Sequence, residues 1–254
     1  IGIITAGTII GVMPTMQGVL LTKEYTKATM RGGQSELTIG KKEKKTNGGL
    51  DMDYAFTWSQ GISETFSLVV PNVNGPMGRE HYAEGATAEK LSSLGVSGEQ
   101  AGQFLSSLPD YWGPQPFISG PVYFGVIVIM LCLFGFMTVK SYHRWWMLIA
   151  SVFFIMLSWG KNFELMNGFL FHYLPGYNKF RTPSMALYDI PAILLPLMGA
   201  WGLHNLIKGT TTKEEALKAF KLSGGITLLL VLIGGVFSSF WQSFQGANYD
   251  NLLA

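Results

Sequence analysis

Long apolar runs alternate with short polar ones along this chain, and one long polar stretch interrupts them early. A helix needs roughly 20 apolar residues to cross a hydrocarbon core about 30 Å thick. Residues 3–21 (IITAGTIIGVMPTMQGVLL) meet that length, although Pro14 and several glycines weaken the run. Residues 121–139 (PVYFGVIVIMLCLFGFMTV) meet it strongly, with proline at the first helical position, where its missing N–H costs nothing. Residues 145–159 (WWMLIASVFFIMLSW) are shorter but wholly apolar. Residues 186–207 qualify despite Asp189, Pro191 and Pro196, and 223–241 (SGGITLLLVLIGGVFSSFW) qualify strongly. The pattern therefore predicts an all-α polytopic membrane protein with about five transmembrane helices and a mainly helical and irregular insert.

The insert, residues 22–120, lacks clean alternation. Ala55, Trp58, Ile62 and Phe66 recur at spacings of three to four, which predicts an amphipathic surface helix capped by Asp51 or Asp53. Gly61 weakens that helix. ATAEKLSSLGVSGEQAGQFLSSL predicts a second helical stretch, and LPDYWGPQPFISGP is too rich in Pro and Gly for regular structure. KKEKK at 41–45 reads as a solvated loop.

Trp112, Trp145, Trp146, Trp159, Trp201 and Trp241 fall at or near span ends, where an indole finds both apolar and wet surroundings. Basic residues set the orientation, because short cytoplasmic loops carry the excess of Lys and Arg. Loops 140–144 and 208–222 carry Lys140, Arg144, Lys208, Lys213, Lys218 and Lys221 and are predicted to be cytoplasmic. Loop 160–185 carries only Lys161, Lys179 and Arg181. It is predicted to share the extracytoplasmic face with the insert. The organisation is then helix 1–21, insert 22–120, a four-helix region 121–241, and the start of another extracytoplasmic segment at 242–254.

Composition agrees. Of 254 residues, 48% are hydrophobic and 13% charged, against about 25% charged in soluble domains. The net charge of +2 is scattered, which gives no support to nucleic-acid binding. The one cysteine, Cys132, lies in an apolar run and has no intrachain partner. No His, Cys or carboxylate cluster has metal-ligand spacing, and no glycine-rich phosphate loop follows a strand. The chain begins inside an apolar run and ends without a stop pattern, so we expect it to be an internal piece of a longer protein.

Four motifs, in order, carry a resemblance across nearly the whole chain. They are KEYTKATMRGG after the first apolar run, WSQGISETFSLVVPN, YWGPQPFISGPVYFG entering a span, and LPGYNKFRTPSMAL before another. Together they resemble the YfhO-type family of large bacterial membrane proteins, in wording closest to Bacteroidetes versions. That family in turn resembles GT-C-fold glycosyltransferases of the bacterial cytoplasmic membrane. The resemblance implies transfer of a sugar from a polyprenyl-phosphate carrier to a cell-envelope glycan acceptor at the extracytoplasmic face. It also implies a catalytic carboxylate in the first extracytoplasmic loop, upstream of Ile1. No cofactor is implied, and a divalent metal is left open.

A lipid phosphate needs cations at the membrane surface, and arginine matches phosphate oxygens bidentately. Arg181, Lys179 and His172 lie in the 160–185 loop, which Pro175 and Pro183 pin, and Arg31 reaches the same face just past the first span. These are the candidate lipid-phosphate or sugar ligands, with contact to anionic headgroups as the plainer role. Glu64, on the expected surface helix, either binds a sugar hydroxyl or pairs with Arg31 or Arg181 in a structural salt bridge. A transporter is the alternative class, but it would concentrate polar groups at the bilayer midplane, often at a broken helix. Here only 186–207 offers one, and polar density lies outside the spans. A non-catalytic membrane scaffold is a further alternative.

Overall fold

A computed structural model describes residues 2–26, 28–29, 31, 49–75, 86–107, 111–116 and 122–244. The expected loop at 41–45 lies outside the described residues. All regular structure among the described residues is helical. In chain order the α-helices are α1 (Gly2–Val12), α2 (Met16–Thr26), α3 (Met52–Ala55), α4 (Ala86–Ser93), α5 (Gly98–Ser107) and α6 (Val126–Thr138). They continue with α7 (His143–Ser158), α8 (Glu164–Tyr173), α9 (Ala186–Asp189), α10 (Pro191–Ile207) and α11 (Lys213–Val231).

Two helical stretches, Pro183–Ile207 and Lys213–Val236, are long and apolar enough to cross a membrane. A third is reached only if α7 and α8, bent by 117° at their junction, count as one. The sequence predicted about five. Pro14 explains part of the difference: it lies in a 3₁₀ turn, Met13–Thr15, that divides the first apolar run into two helices of 11 residues. The run at 121–139 yields only the 13 helical residues of α6, or about 20 Å of rise.

Helices α6, α7, α10 and α11 form a bundle. Its core joins Cys132, Met147, Leu194, Leu195 and Met198. At one end Lys140 pairs with Glu215 at 2.8 Å, which brings the start of α11 beside the end of α6. Thr212 and Glu215 close a capping box there, so the first turn of α11 has its orphan N–H groups satisfied. Arg144 donates from Nη1 to the Val139 carbonyl at 2.9 Å. These contacts place 140–144 and the start of 208–222 at one end of the bundle.

The opposite end is capped by polar segments from distant parts of the chain. The expected amphipathic helix through Ala55, Trp58, Ile62 and Phe66 is not continuous. Asp51 does cap α3, accepting from Asp53 N–H at 3.0 Å and Tyr54 N–H at 3.2 Å. The helix then stops after Ala55 and resumes as a 3₁₀ turn, Ser63–Leu68. The backbone between them bonds to other segments. Ala55 O accepts from Thr182 N–H at 3.0 Å, Trp58 O from Ser184 N–H at 3.3 Å, and Gln60 N–H donates to Ser158 O at 2.9 Å. Tertiary pairing has replaced the helical ladder.

The expected loop 160–185 is also more ordered than predicted, because it contains α8. Gly160, at φ +44°, turns the chain between α7 and α8. A Cβ there would lie 2.0 Å from Ser59 Oγ, so the turn needs glycine for both its dihedral and its space. One face of α8 buries Asn167, Gly168 and Phe171. Phe171 packs edge-on against Phe56, with Leu50 and Ala55 around them. The second helical stretch of the insert forms as α4 and α5, separated by a turn at Gly95 with φ +85°.

Candidate functional site

The segment after α8 carries two of the expected cations. A turn at Gly176 leads into the 3₁₀ turn Tyr177–Lys179. Tyr177 anchors it: its hydroxyl donates to Asn167 Oδ1 at 3.0 Å, and burial pushes that hydroxyl up to about 12. Leu50 N–H donates to Asn178 O at 2.8 Å, so the segment is tied to the insert before Arg181 is reached.

Arg181 is exposed and held between aromatic rings. Its guanidinium lies 5.8 Å from the Tyr54 ring centre and 5.6 Å from that of Trp58, and Nη1 donates to the Tyr54 hydroxyl at 2.7 Å. Guanidinium over an aromatic face is attractive, and the hydrogen bond adds direction. The next residue, Thr182, sits at φ +66° and ψ +69°, unusual for a β-branched side chain. Its N–H bond to Ala55 O holds it there, and Pro183 follows at once. The backbone carrying Arg181 is therefore fixed on both sides.

Lys179 donates to the Arg31 carbonyl at 3.0 Å, which brings those two expected residues together. His172 is on α8, exposed, with Nδ1 2.7 Å from Gly168 O, a contact within its own helix.

Glu64 departs from expectation. It is 4% exposed rather than on a surface helix. Its hydrogen-bond partners are neutral donors, not Arg31 or Arg181. Gly61 N–H donates to Oε2 at 2.6 Å, Gln115 Nε2 donates to the same oxygen at 3.2 Å, and the Tyr111 hydroxyl donates to Oε1. Burial raises the carboxyl above its ordinary value of 4.5, and the donated bonds, that of Tyr111 foremost, oppose the rise. Tyr111 is raised as well, by burial and by the carboxylate beside it. Glu64 thus fastens the Gly61–Ser63 turn to the 111–115 segment.

Beside that fastening lies a cleft of about 930 Å³. Its walls include Phe66, Asn74, Trp112, Asn162, Trp241 and Gln242. Trp112 Nε1 donates to Gln242 Oε1 at 2.9 Å, and Gln242 Nε2 donates to Val73 O at 2.8 Å. Sequence reasoning noted Trp112 and Trp241 only as interfacial anchors. It missed Asn74, Asn162 and Gln242, because isolated amides carry no spacing signal. It also missed Tyr54 and Trp58 as the bed for Arg181. Among the described residues, no group of three or more His, Cys, Asp or Glu is arranged to hold a metal ion. Comparison with family models, curated proteins and solved structures returns no match.

Proposed function

We propose that this chain is part of a GT-C-type membrane glycosyltransferase related to the YfhO-type proteins. It moves a sugar from a polyprenyl-phosphate carrier to a cell-envelope glycan acceptor at the extracytoplasmic face of the bacterial inner membrane. All five apolar segments cross the bilayer in this reading, with the capped end of the bundle outside and the Lys140–Glu215 end in the cytoplasm. The observation that carries the proposal is the placement of Arg181. It is an exposed guanidinium stacked on Tyr54 and Trp58, on a fixed backbone, with Lys179 and Arg31 in the same cap. A lipid phosphate at the membrane surface suits such a fork, and the aromatic bed suits the first isoprene units behind it. Glu64 is not the catalytic carboxylate in this reading, because it is buried and committed to three donors.

The test is transfer from a polyprenyl-phosphate sugar in membranes holding the full-length protein at matched levels. Hydrogen bonds to charged groups contribute about 1.5–3 kcal/mol. Each 1.36 kcal/mol is tenfold in rate. Arg181→Ala therefore lowers transfer by roughly one to two decades. Lys179→Ala lowers it less, and Arg181→Lys does not restore the parental rate, because an ammonium lacks the planar fork. Parental transfer by Arg181→Ala overturns the proposal.

A further inference from the structure

The cleft beside Glu64 has a chemistry of its own. Among the described residues, no acidic, basic or histidine side chain lines it. Its polar side chains are amides and hydroxyls, and its broad surfaces are the rings of Phe66, Trp112 and Trp241. Phe66 and Trp241 pack against each other, 5.4 Å apart between ring centres with planes tilted by 35°, so the two rings stand together as one aromatic wall.

Asn74 supplies the second observation. It is 4% exposed, it lines the cleft, and its Oδ1 has no hydrogen-bond partner among the described residues. A buried acceptor left unpaired is costly, so a site that keeps one is built for a donor brought by something else. The surrounding groups are already oriented. Trp112 N–H donates to Asn74 O at 3.0 Å, and the Trp112–Gln242–Val73 chain fixes the far wall. Glu64, behind the wall, acts as a positioning residue by joining Gly61 to Tyr111 and Gln115.

These features select a class of ligand. A phosphate or carboxylate finds no cation in the cleft. An acyl chain covers the rings but leaves Asn74 Oδ1 unpaired. An uncharged ring with an apolar C–H face and a rim of hydroxyls satisfies both the aromatic wall and the amides. The volume lies near the top of the ~300–1,000 Å³ range of small-molecule pockets, which leaves room for more than one ring. We propose that this cleft binds an uncharged saccharide, with its C–H face on Phe66 and Trp241 and a hydroxyl donating to Asn74 Oδ1.

The cleft is close to Arg181. Trp58 lies under the guanidinium and Gly61 is in the cleft wall, and three residues span at most about 11 Å. The use of the saccharide in transfer rests on the function proposed above, whereas its binding does not.

The experiment titrates the full chain in nanodiscs with maltotriose and with N,N′-diacetylchitobiose, using inorganic phosphate and octanol as competitors. Saturable binding of at least one saccharide is expected. Trp241→Ala and Asn74→Leu each weaken it tenfold or more. Ser63→Trp weakens it tenfold or more by obstructing the cleft from its wall, which keeps the test decisive if either of the others fails to fold. Arg181→Ala leaves it unchanged. The proposal is overturned if neither saccharide binds at millimolar concentration, if Ser63→Trp leaves the affinity unchanged, or if phosphate or octanol displaces the sugar at equal concentration. Saccharide binding together with parental transfer by Arg181→Ala removes the phosphate clamp and leaves the cleft standing. Loss of transfer in Arg181→Ala without any saccharide binding removes the cleft alone.

Discussion

Ser158 donates from its hydroxyl to Gln60 Oε1 at 2.8 Å, joining residues 98 positions apart at a fully buried point. Gln60 N–H returns a bond to Ser158 O at 2.9 Å. The end of α7 and the 49–75 segment are therefore locked together, at the end of the bundle away from Lys140 and Glu215. This contact ties the insert to the end of α7, directly before loop 160–185, the other polar region that the charge pattern assigns to the same face.

A labelling experiment follows from it. Ser97→Cys and Glu164→Cys, both at exposed positions, are expected to react with a membrane-impermeant thiol reagent that reaches the periplasm of intact cells. Lys208→Cys, exposed beyond the far end of α10, is expected to react only after permeabilisation. The natural cysteine, Cys132, is buried and gives little background. Equal labelling of positions 164 and 208 in intact cells would contradict the arrangement.

Glu64 predicts a pH dependence of stability. Its folded carboxyl is raised above 4.5 because burial outweighs the donors around it. The folded state therefore holds the proton more tightly than the unfolded chain. Where the folded state binds more protons, stability falls as pH rises. The loss begins near pH 4.5 and is complete once the raised folded value is passed. Glu64→Gln keeps the shape and an acceptor for Gly61 N–H but does not titrate. It is expected to flatten the slope of melting temperature against pH across that window. A slope in the variant equal to that of the parent protein would show that another group titrates there.

Helix in the apolar runs 186–207 and 223–241 was legible, because length and apolar composition are local signals. The tertiary hydrogen bonds were not. Nothing in the local pattern says that Ala55 O and Trp58 O accept from Thr182 and Ser184 rather than from their own helix. Glu64 was visible as an unusual carboxylate, but Tyr111 and Gln115 are 47 and 51 residues away in a stretch whose Pro and Gly marked it only as irregular. Arg181 was visible as a cation in a proline-bounded loop, but its aromatic bed lies in the insert, with Tyr54 127 residues away.

The close approach of α6 and α10 depends on glycine. A Cβ at Gly135 would meet Met198 O at 2.1 Å, and one at Gly202 would meet Gly135 Cα at 2.5 Å. Small residues at such crossings let backbones approach, and packing rather than the hydrophobic effect holds helices together in lipid. Gly135→Ala and Gly202→Ala are each expected to cost about 1–3 kcal/mol through overpacking. Gly225→Ala, on α11 with open space around it, is the control and is expected to be neutral or slightly stabilising. Thermal unfolding in one detergent compares the three. Equal melting temperatures would mean that α6 and α10 do not meet at these glycines.

Helix α8 gives the last prediction. It leaves α7 at 117° and buries Asn167, Gly168 and Phe171 against the cap. Its other face exposes Leu165, Phe169 and Tyr173, at 84%, 60% and 73%. Those positions are spaced by four, so they form one apolar stripe along a helix of 10 residues. Ten residues rise about 15 Å, half of a hydrocarbon core, so α8 is too short to cross on its own. A short helix with one apolar stripe, turned sharply from a long one, is suited to lie in the interface with the stripe in the acyl boundary. Nitroxide labels placed singly from residue 164 to 173 distinguish the two arrangements by their accessibility to oxygen and to a water-soluble nickel chelate. An in-plane helix gives depths that oscillate with a period near 3.6, with maxima at 165, 169 and 173. A helix that continues the α7 span gives depths that change steadily along the sequence. A steady gradient would return α8 to the membrane and separate Phe171 from Phe56. It would also remove the support under Tyr177 on which the presentation of Arg181 depends.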